Sequence, residues 1–157
     1  MVDLWRATLP HDAAALLDFD KRIFGSDTFE SAEVWQRYKS YWIAADDQRV
    51  GAIAIAPDAA PSAHAWEEEL HQAGALFLAS IGILPEFQGK SYGSQALRLL
   101  IRRQCGMGFG YLISNFRVSN EGSRHLHERA GFTDQKRIIP GYYRNPVEDA
   151  MVVLRYF

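Results

Sequence analysis

The sequence predicts an α/β fold with about seven strands in a mixed sheet and about four helices. Segments with strand-like and helix-like patterns follow one another in the order β-α-α-β-β-β-α-β-α-β-β. A nearly unbroken apolar run at residues 75–84 is typical of a buried strand, and it is followed by a turn of small residues and a helix. Two aromatic-rich strands at the C-terminal end predict an antiparallel edge of the sheet.

The N-terminal part of the chain is predicted to contain one strand and two helices. Residues 2–8 form a short candidate strand, and residues 12–24 carry apolar side chains at helical spacing. Asp27 and Glu30 have the spacing of a capping box, which predicts a second helix that extends to about residue 38.

A hairpin and a long loop precede the central strand. Residues 40–45 and 49–56 have the composition of two strands joined by a polar turn. We expect residues 57–74 to form a long loop, which either borders the functional site or is a solvated insertion. Pro85 ends the central strand.

The C-terminal half is predicted to contain two helices and three strands. The central helix ends at the glycines of residues 106–108, and residues 109–118 are the next strand. Asn120 is the expected N-cap of a helix that ends at Gly131. The last two strands and the loop between them are expected at residues 132–138, 149–156 and 140–146, respectively.

Length, charge and cysteine content restrict the function classes. The 157 residues, of which 48% are apolar, suffice for a single domain, 1–157, with a substantial core. A net charge of −2 gives no global attraction to nucleic acid or to an anionic membrane. The single cysteine, Cys105, excludes an intrachain disulfide and a multi-cysteine zinc site, and we expect no metal. Without a signal pattern or a long apolar stretch, the expected location is cytoplasmic.

The turn before the central helix has the composition of an anion site. Small residues at a helix start point several backbone N–H groups outward, and the helix dipole adds positive potential there. Such a turn suits phosphate or pyrophosphate. It consists of Gln88, Gly89, Lys90, Ser91, Tyr92, Gly93 and Ser94.

Two motifs resemble those of the GNAT superfamily of N-acetyltransferases. Residues 88–94 are similar to its acyl-CoA loop, (Q/R)-x-x-G-x-(G/A), although Ser91 stands where the family prefers Gly. Residues 120–132, N-E-G-S-R-H-L-H-E-R-A-G-F, resemble its second signature, an Asn that opens a helix ending in Gly-Phe. The C-terminal P-G-Y-Y…E-D-A-M-V-V is similar to the branch that acetylates protein N-termini. The resemblance implies a largely antiparallel GNAT-like sheet with helices on both faces, and acetyl transfer from acetyl-CoA, as co-substrate, to an amine.

The resemblance also implies which residues hold the co-substrate. Backbone N–H groups of residues 88–94 would bind the pyrophosphate, and Ile81 and Ile83 would offer backbone groups to the pantetheine arm. Gly82 would mark either a close backbone approach beside that arm or a packing glycine under a large side chain. Two further contacts to coenzyme A are expected from Asn120 and Ser123.

Proton transfer requires an acid for the departing thiolate and a base for the amine. His127 stands where a Tyr is common in the family, and it suits the acid role only if the site raises its pKa. Tyr142, Tyr143 or water is the alternative acid. The strand positions that match the family's usual carboxylate bases hold Phe77 and Asn115. The remaining candidate bases are Glu30, Glu33, Glu86 and a water chain.

Two functions of different class follow from the sequence. The first is an N-acetyltransferase that acts by direct transfer in a ternary complex on a primary amine, in an N-terminal peptide or a small molecule. The second is a non-catalytic acyl-CoA-binding or sensor module. The absence of the family's usual carboxylate bases at Phe77 and Asn115 is compatible with this function. The sequence does not specify the acceptor or the oligomeric state, and a homodimer is compatible with it. Four aromatic residues either line an acceptor pocket or pack in the core: Trp35, Tyr38, Tyr41 and Trp42.

Overall fold

The computed structural model describes residues 1–29, 31–56, 74–133 and 135–157. This part of the chain contains seven strands and three α-helices. None of the helices in the described residues is long and apolar enough to cross a membrane. The strands are Val2–Arg6 (β1), Lys39–Ala45 (β2), Gln48–Ala56 (β3), Ala75–Ile83 (β4), Tyr111–Arg117 (β5), Gln135–Arg144 (β6) and Val147–Tyr156 (β7). The α-helices are Ala13–Phe24 (α1), Tyr92–Gln104 (α2) and Glu121–Arg129 (α3).

The seven strands form one mixed sheet in the order β1-β2-β3-β4-β5-β7-β6. Neighbouring strands are antiparallel in the pairs β1–β2, β2–β3, β5–β7 and β6–β7. β4 and β5 are parallel, as expected of two strands connected by a helix, here α2. The predicted fold class, an α/β fold with a mixed and largely antiparallel sheet of seven strands, is confirmed.

The chain divides into two compact units, each made of two segments. The first unit comprises Met1–Ile55 and Ala79–Leu100, and the second comprises Ala56–Leu78 and Ile101–Phe157. The single domain expected from the sequence stays a prediction.

Aromatic residues build the core of the first unit. Trp35 and Trp42 are each 1% exposed and belong to one cluster with Leu16 of α1. The Trp42 ring meets Phe19 edge-on at 4.9 Å, and its Nε1–H donates to Asp12 Oδ2 at 3.2 Å. The core-packing interpretation of the tryptophans is therefore confirmed.

The predicted second helix is wrong. Two short 3-10 turns, Gly25–Asp27 and Ala32–Arg37, take its place, and Glu30 lies outside the described residues. The backbone N–H of Phe29 donates to the buried Asp20 carboxylate at 2.9 Å. Because this bond and the ring of Phe29 fix the chain between the two turns, tertiary contacts override the local capping signal.

The predicted loop at residues 140–146 is also wrong, because β6 runs through most of it. The pairing of β6 with β7 shifts register between Ile139 and Tyr143. This irregularity accommodates Pro140 and Gly141, whose φ is +62°. The N–H of Gly141 donates to Asp149 Oδ1 at 2.9 Å. The long loop predicted at residues 57–74 lies, apart from its last residue, outside the described residues.

Two glycines allow β3, β4 and α1 to approach closely. A Cβ atom at Gly51 would lie 2.2 Å from the carbonyl oxygen of Gly82. A Cβ atom at Gly82 would lie 2.6 Å from Ile23 Cγ2 and 2.9 Å from Cζ of Phe24. Gly82 is thus a packing glycine under two side chains of α1, and its carbonyl also lies against the backbone of β3.

We expect the Gly51→Ala variant to lower the free energy of unfolding by about 1–3 kcal/mol, because its methyl group would collide with backbone. Urea denaturation measures the change. Gly122→Ala is the matched control: the nearest neighbour of its Cβ would be Asn120 Oδ1 at 3.7 Å. The free energy of unfolding of that variant should rise by up to about 1 kcal/mol, because alanine favours the helix. A Gly51→Ala protein as stable as wild type would refute the close approach.

Candidate functional site

In the first unit, the segment after β4 is fastened to the end of that strand. Residues Pro85–Phe87 form a 3-10 turn in which the N–H of Phe87 donates to the Leu84 carbonyl at 2.9 Å. The side chain of Gln88 folds back, and its Nε2 donates to the Ile83 carbonyl at 2.9 Å. The Gln88 side chain therefore has a structural role, and the carbonyl of Ile83 already has a partner.

Left-handed backbone conformations shape the turn that precedes α2. Gly89 has a φ of +80° and Ser91 a φ of +62°. The Ser91 carbonyl accepts the N–H of Gln95 and the hydroxyl of Ser94, each at 3.1 Å, which closes the first helical turn. The first N–H groups of a helix have no acceptor within the helix, and left-handed residues before it can turn further N–H groups toward a common point. The geometry thus suits an anion.

The same dihedral angle favours glycine at position 91. A left-handed φ places Cβ near the neighbouring carbonyl group, which costs about 1–2 kcal/mol in non-glycine residues. Ser91 adopts this conformation although it is not glycine. The departure from the family motif therefore preserves the shape of the turn at some cost in stability.

The remaining residues of the predicted co-substrate site lie at both ends of that turn. Ile81 is half-buried near the end of β4, whereas Gly82 and Ile83 are buried. Lys90 is exposed, and its ammonium lies 5.9 Å from the centre of the Phe87 ring. Tyr92, Gly93 and Ser94 form the first turn of α2.

In the second unit, His127 is a core residue. It is 1% exposed, and its Nε2 lies 2.8 Å from the hydroxyl of Ser114 on β5. Its Nδ1 lies 2.7 Å from the Ser123 carbonyl, which can only accept, so the proton of a neutral ring sits on Nδ1. Phe116 stacks on the ring at 4.9 Å, and Phe132 meets it edge-on at 5.1 Å.

Burial lowers the pKa of His127 from 6.5 to about 4, although the hydrogen bond to Ser123 opposes this change. The imidazole is therefore neutral at physiological pH. The proposed acid role of His127 required a raised pKa, and the structure gives a lowered one. We accordingly correct that hypothesis: His127 is a hydrogen-bonded core residue.

The alternation of side chains along β5 separates His127 from the tyrosines. Ser114, which contacts His127, and Asn115 are successive residues of one strand and therefore point to opposite faces. The Asn115 side chain contacts Tyr143 of β6, with Nδ2 donating to the phenol oxygen at 3.0 Å. Tyr143 and His127 consequently lie on opposite faces of the β5–β7–β6 sheet.

Arg117 and Glu148 also lie near Tyr143. The guanidinium carbon of Arg117 lies 4.5 Å from the centre of the Tyr143 ring. Arg117 also lies 3.4 Å from Glu148 Oε1. Hydrogen bonds from Ser119 hold the pKa of Glu148 below its usual range, so the carboxylate stays charged. Neither residue is predictable from local sequence, because their partners come from separate strands.

Tyr142 and the predicted contacts at the start of α3 are also placed in this unit. Tyr142 is half-buried and meets the Tyr143 ring edge-on at 4.9 Å. Asn120 is exposed, and its Oδ1 accepts the N–H of Ser123 at 3.0 Å. The predicted N-cap is therefore confirmed, and the oxygen of the Asn120 amide is engaged within the chain.

The candidate bases differ in how well they suit proton acceptance. Glu33 and Glu86 are exposed, and hydrogen bonds to their own backbone N–H groups are the largest cause of their lowered pKa values. A lowered pKa makes a carboxylate a weaker base. Glu86 is also paired with Arg22 of α1. Neither residue has the raised pKa typical of a catalytic base.

Asp20, which is not among the candidate bases predicted from the sequence, is a buried carboxylate. It is 4% exposed, and burial raises its pKa to about 6, against the opposing effect of the hydrogen bond from Phe29. Its position four residues after Leu16, within the apolar stripe of α1, is the signal that identifies it in the sequence. Within the described ranges, no group of three or more His, Cys, Asp or Glu residues is placed to hold a metal ion.

We expect the His127→Phe variant to lower the free energy of unfolding at pH 7.5 by about 2–4 kcal/mol, because Ser114 loses its buried partner. The folded-state pKa of His127 is depressed, so its contribution to stability is present above pH 6.5 and is lost as the pH falls toward 4. The difference in the free energy of unfolding between wild type and the variant should therefore be about 2 kcal/mol smaller at pH 5 than at pH 7.5.

Urea denaturation at both pH values measures this difference. His125, exposed on the same helix, is the matched control, and His125→Gln should stay within about 0.5 kcal/mol of wild type at both. A deficit of His127→Phe that is equal at pH 7.5 and pH 5 would contradict a neutral, buried imidazole.

The chain is similar in sequence to one protein family and in structure to several solved proteins. The model of the acetyltransferase (GNAT) family matches residues 10–132, whereas no curated protein sequence matches the chain. The ribosomal-protein-S18-alanine N-acetyltransferase from Escherichia coli is 18% identical, with 99% of this chain and 94% of that chain covered and a TM-score of 0.76. A GNAT family acetyltransferase from Elizabethkingia anophelis with acetyl-CoA bound is 14% identical, with 99% and 98% covered and a TM-score of 0.73.

The aminoglycoside acetyltransferase AAC(6')-Ib in complex with coenzyme A is 17% identical, with 99% of this chain and 95% of that chain covered and a TM-score of 0.76. Identities this low establish a shared fold. The family match is independent of them and spans most of the chain, including the turn before α2 and the Asn120 helix. The chain therefore belongs to the GNAT family of acetyltransferases.

Proposed function

We propose that this acetyltransferase moves an acetyl group from acetyl-CoA to a primary amine by direct transfer in a ternary complex. The observation that carries the proposal is the turn before α2, where Gly89 and Ser91 are left-handed and the first N–H groups of the helix follow. This turn coincides with the segment that resembles the acyl-CoA loop. Two structurally similar proteins contain acetyl-CoA or coenzyme A, which supports the same ligand here.

The backbone of the turn is proposed to hold the pyrophosphate. Donors at residues 88–94 supply this contact, and Lys90 adds a positive charge. Ile81 is proposed to offer backbone groups to the pantetheine arm, whereas the carbonyl of Gly82 lies against β3 and the carbonyl of Ile83 is engaged by Gln88. Asn120 and Ser123 are assigned to the co-substrate by family resemblance, and the amide nitrogen of Asn120 is the group suited to that contact.

Tyr143 is proposed as the general acid. The amine attacks the thioester carbonyl carbon, the carbon–sulfur bond breaks, and the phenol gives its proton to the departing sulfur. The amine loses a proton, and water carries this proton to the resulting phenolate. The reaction therefore leaves Tyr143 unchanged. Tyr142 packs against the Tyr143 ring and supports its orientation. We assign His127 no part in the transfer, because burial keeps its imidazole neutral and its ring lies on the face of the sheet opposite Tyr143.

The acceptor is proposed to be the amine of an N-terminal peptide or of a small molecule. The C-terminal P-G-Y-Y segment, similar to that of enzymes that acetylate protein N-termini, supports the peptide. The names of two structurally similar proteins refer to ribosomal-protein-S18-alanine and to aminoglycosides, which are amines of both classes.

The direct test is release of free thiol from acetyl-CoA in the presence of three probes, with each product identified by mass. The probes are a synthetic peptide with a free N-terminal alanine, the aminoglycoside ribostamycin and the polyamine spermine. We expect turnover that depends on one of these amines. Tight binding of coenzyme A without acetylation of any probe would overturn the proposal in favour of a non-catalytic binding module.

We expect Gly93→Glu to weaken coenzyme A binding by about 100-fold or more, because a carboxylate in the first turn of α2 would repel the pyrophosphate. Isothermal titration calorimetry measures the affinity. Ser91→Gly is the matched control, because glycine adopts the φ of +62° without strain and should bind at least as tightly as wild type. Unchanged affinity in Gly93→Glu would place the pyrophosphate elsewhere.

A further inference from the structure

We propose that Asn115 is a positioning residue that holds the phenol of Tyr143 ready to donate its proton. This inference rests on the proposed function, in which Tyr143 is the general acid. The family resemblance places a carboxylate base at the position of Asn115 in relatives. In this chain the position holds an amide, and the amide contacts a tyrosine.

The register of the strands makes the contact possible. Tyr143 lies opposite Glu148 on β7, whereas Asn115 lies opposite Val152. The side chain of Tyr143 must therefore reach across β7 to meet Asn115 on the next strand. Ala150, which lies between Glu148 and Val152 on that face, carries only a methyl group and leaves room for the ring.

Arg117 fixes the ring from a second direction. Its guanidinium lies against the Tyr143 ring, and its Nη1 donates to the Pro146 carbonyl at 2.8 Å. Glu148 accepts from Ser119 N–H and Oγ–H at 2.8 Å each, and it faces Arg117 at 3.4 Å. The phenol is thus held at its oxygen by Asn115 and along its ring by an arginine whose own position is fixed.

The chemistry explains why an amide suits this position. The Nδ2–H of Asn115 donates to the phenol oxygen, so the phenol proton is not drawn toward Asn115. When the phenol gives its proton to sulfur, the oxygen becomes negative, and the same N–H bond and the nearby guanidinium stabilise it. An aspartate at this position would accept the phenol proton instead and would repel the phenolate.

The test is a double-mutant cycle in kcat, with acetyl-CoA and the peptide that has an N-terminal alanine. We expect Tyr143→Phe to lower kcat by about 100-fold and Asn115→Ala by about 10-fold, with the KM for acetyl-CoA unchanged. The double variant should match Tyr143→Phe alone, because Asn115 acts through the phenol. Asn115→Asp, nearly the same shape, should be slower than Asn115→Ala. Gln48→Ala, an exposed amide on β3, is the control and should equal wild type.

The outcomes separate the two proposals. If Tyr143→Phe retains full kcat, the acid role proposed for Tyr143 fails, and the positioning role fails with it. If Tyr143→Phe is slow but Asn115→Ala equals wild type, or the two effects multiply in the double variant, only the positioning role is overturned. An increase in kcat for Asn115→Asp would identify a base position and would also overturn it.

A measurement on the free protein covers the case in which the peptide is not the acceptor. Carbon-13 labelling of tyrosine Cζ gives one resonance per tyrosine, and the Tyr143→Phe variant identifies that of Tyr143. Asn115→Asp should shift this resonance and move its titration midpoint to higher pH; Arg117, Glu148 and Arg137, which lies opposite Val152, are charged residues on the same face. A resonance and midpoint that equal those of wild type would overturn the contact on which the proposal depends.

Discussion

The arrangement of the second unit depends on one constraint, the alternation of side chains along β5. Successive residues of a strand face opposite sides, so Ser114 and Asn115 belong to different environments. On one side Ser114 contacts a histidine that is sealed by aromatic rings. On the other side Asn115 meets a phenol that an arginine holds. The buried imidazole of His127 and the phenol that we propose as the general acid therefore lie on opposite faces of the sheet.

In the first unit the corresponding constraint is the close approach of the backbone at two glycines. Because Gly51 and Gly82 carry no Cβ, β3, β4 and α1 can lie closer than side chains would allow. The end of β4 then continues into a turn that is tied back by the Gln88 amide. The left-handed residues of that turn can aim N–H groups only because the strand before it is fixed. Packing of the core thus helps to shape the turn that we propose as the pyrophosphate site.

Much of this organisation is predictable from local pattern, and the failures have physical causes. The apolar run of β4, the small-residue turn and the Asn120 cap are signals carried by adjacent residues, and the structure confirms these elements. The predicted second helix fails because Asp20, on the preceding helix, accepts the N–H of Phe29. The roles of His127 and Tyr143 could not be separated from the sequence, because burial and cross-strand contacts depend on pairing register. A histidine near a motif looks the same in sequence whether it lies in the core or at the surface.

Two buried ionisable groups, His127 and Asp20, act on stability in opposite directions. His127 has a folded-state pKa near 4, below its ordinary value, so its contribution is lost as the pH falls from 6.5. Asp20 has a folded-state pKa near 6, above its ordinary value of 3.8, so its contribution is complete below pH 3.8 and is lost as the pH rises through 6. As the pH falls from 6 to 4, the contribution of His127 to stability decreases while that of Asp20 increases. A stability profile of the wild-type chain that is nearly flat between pH 4 and 6 would therefore be consistent with two strongly perturbed groups, and only substitution of each group separates them.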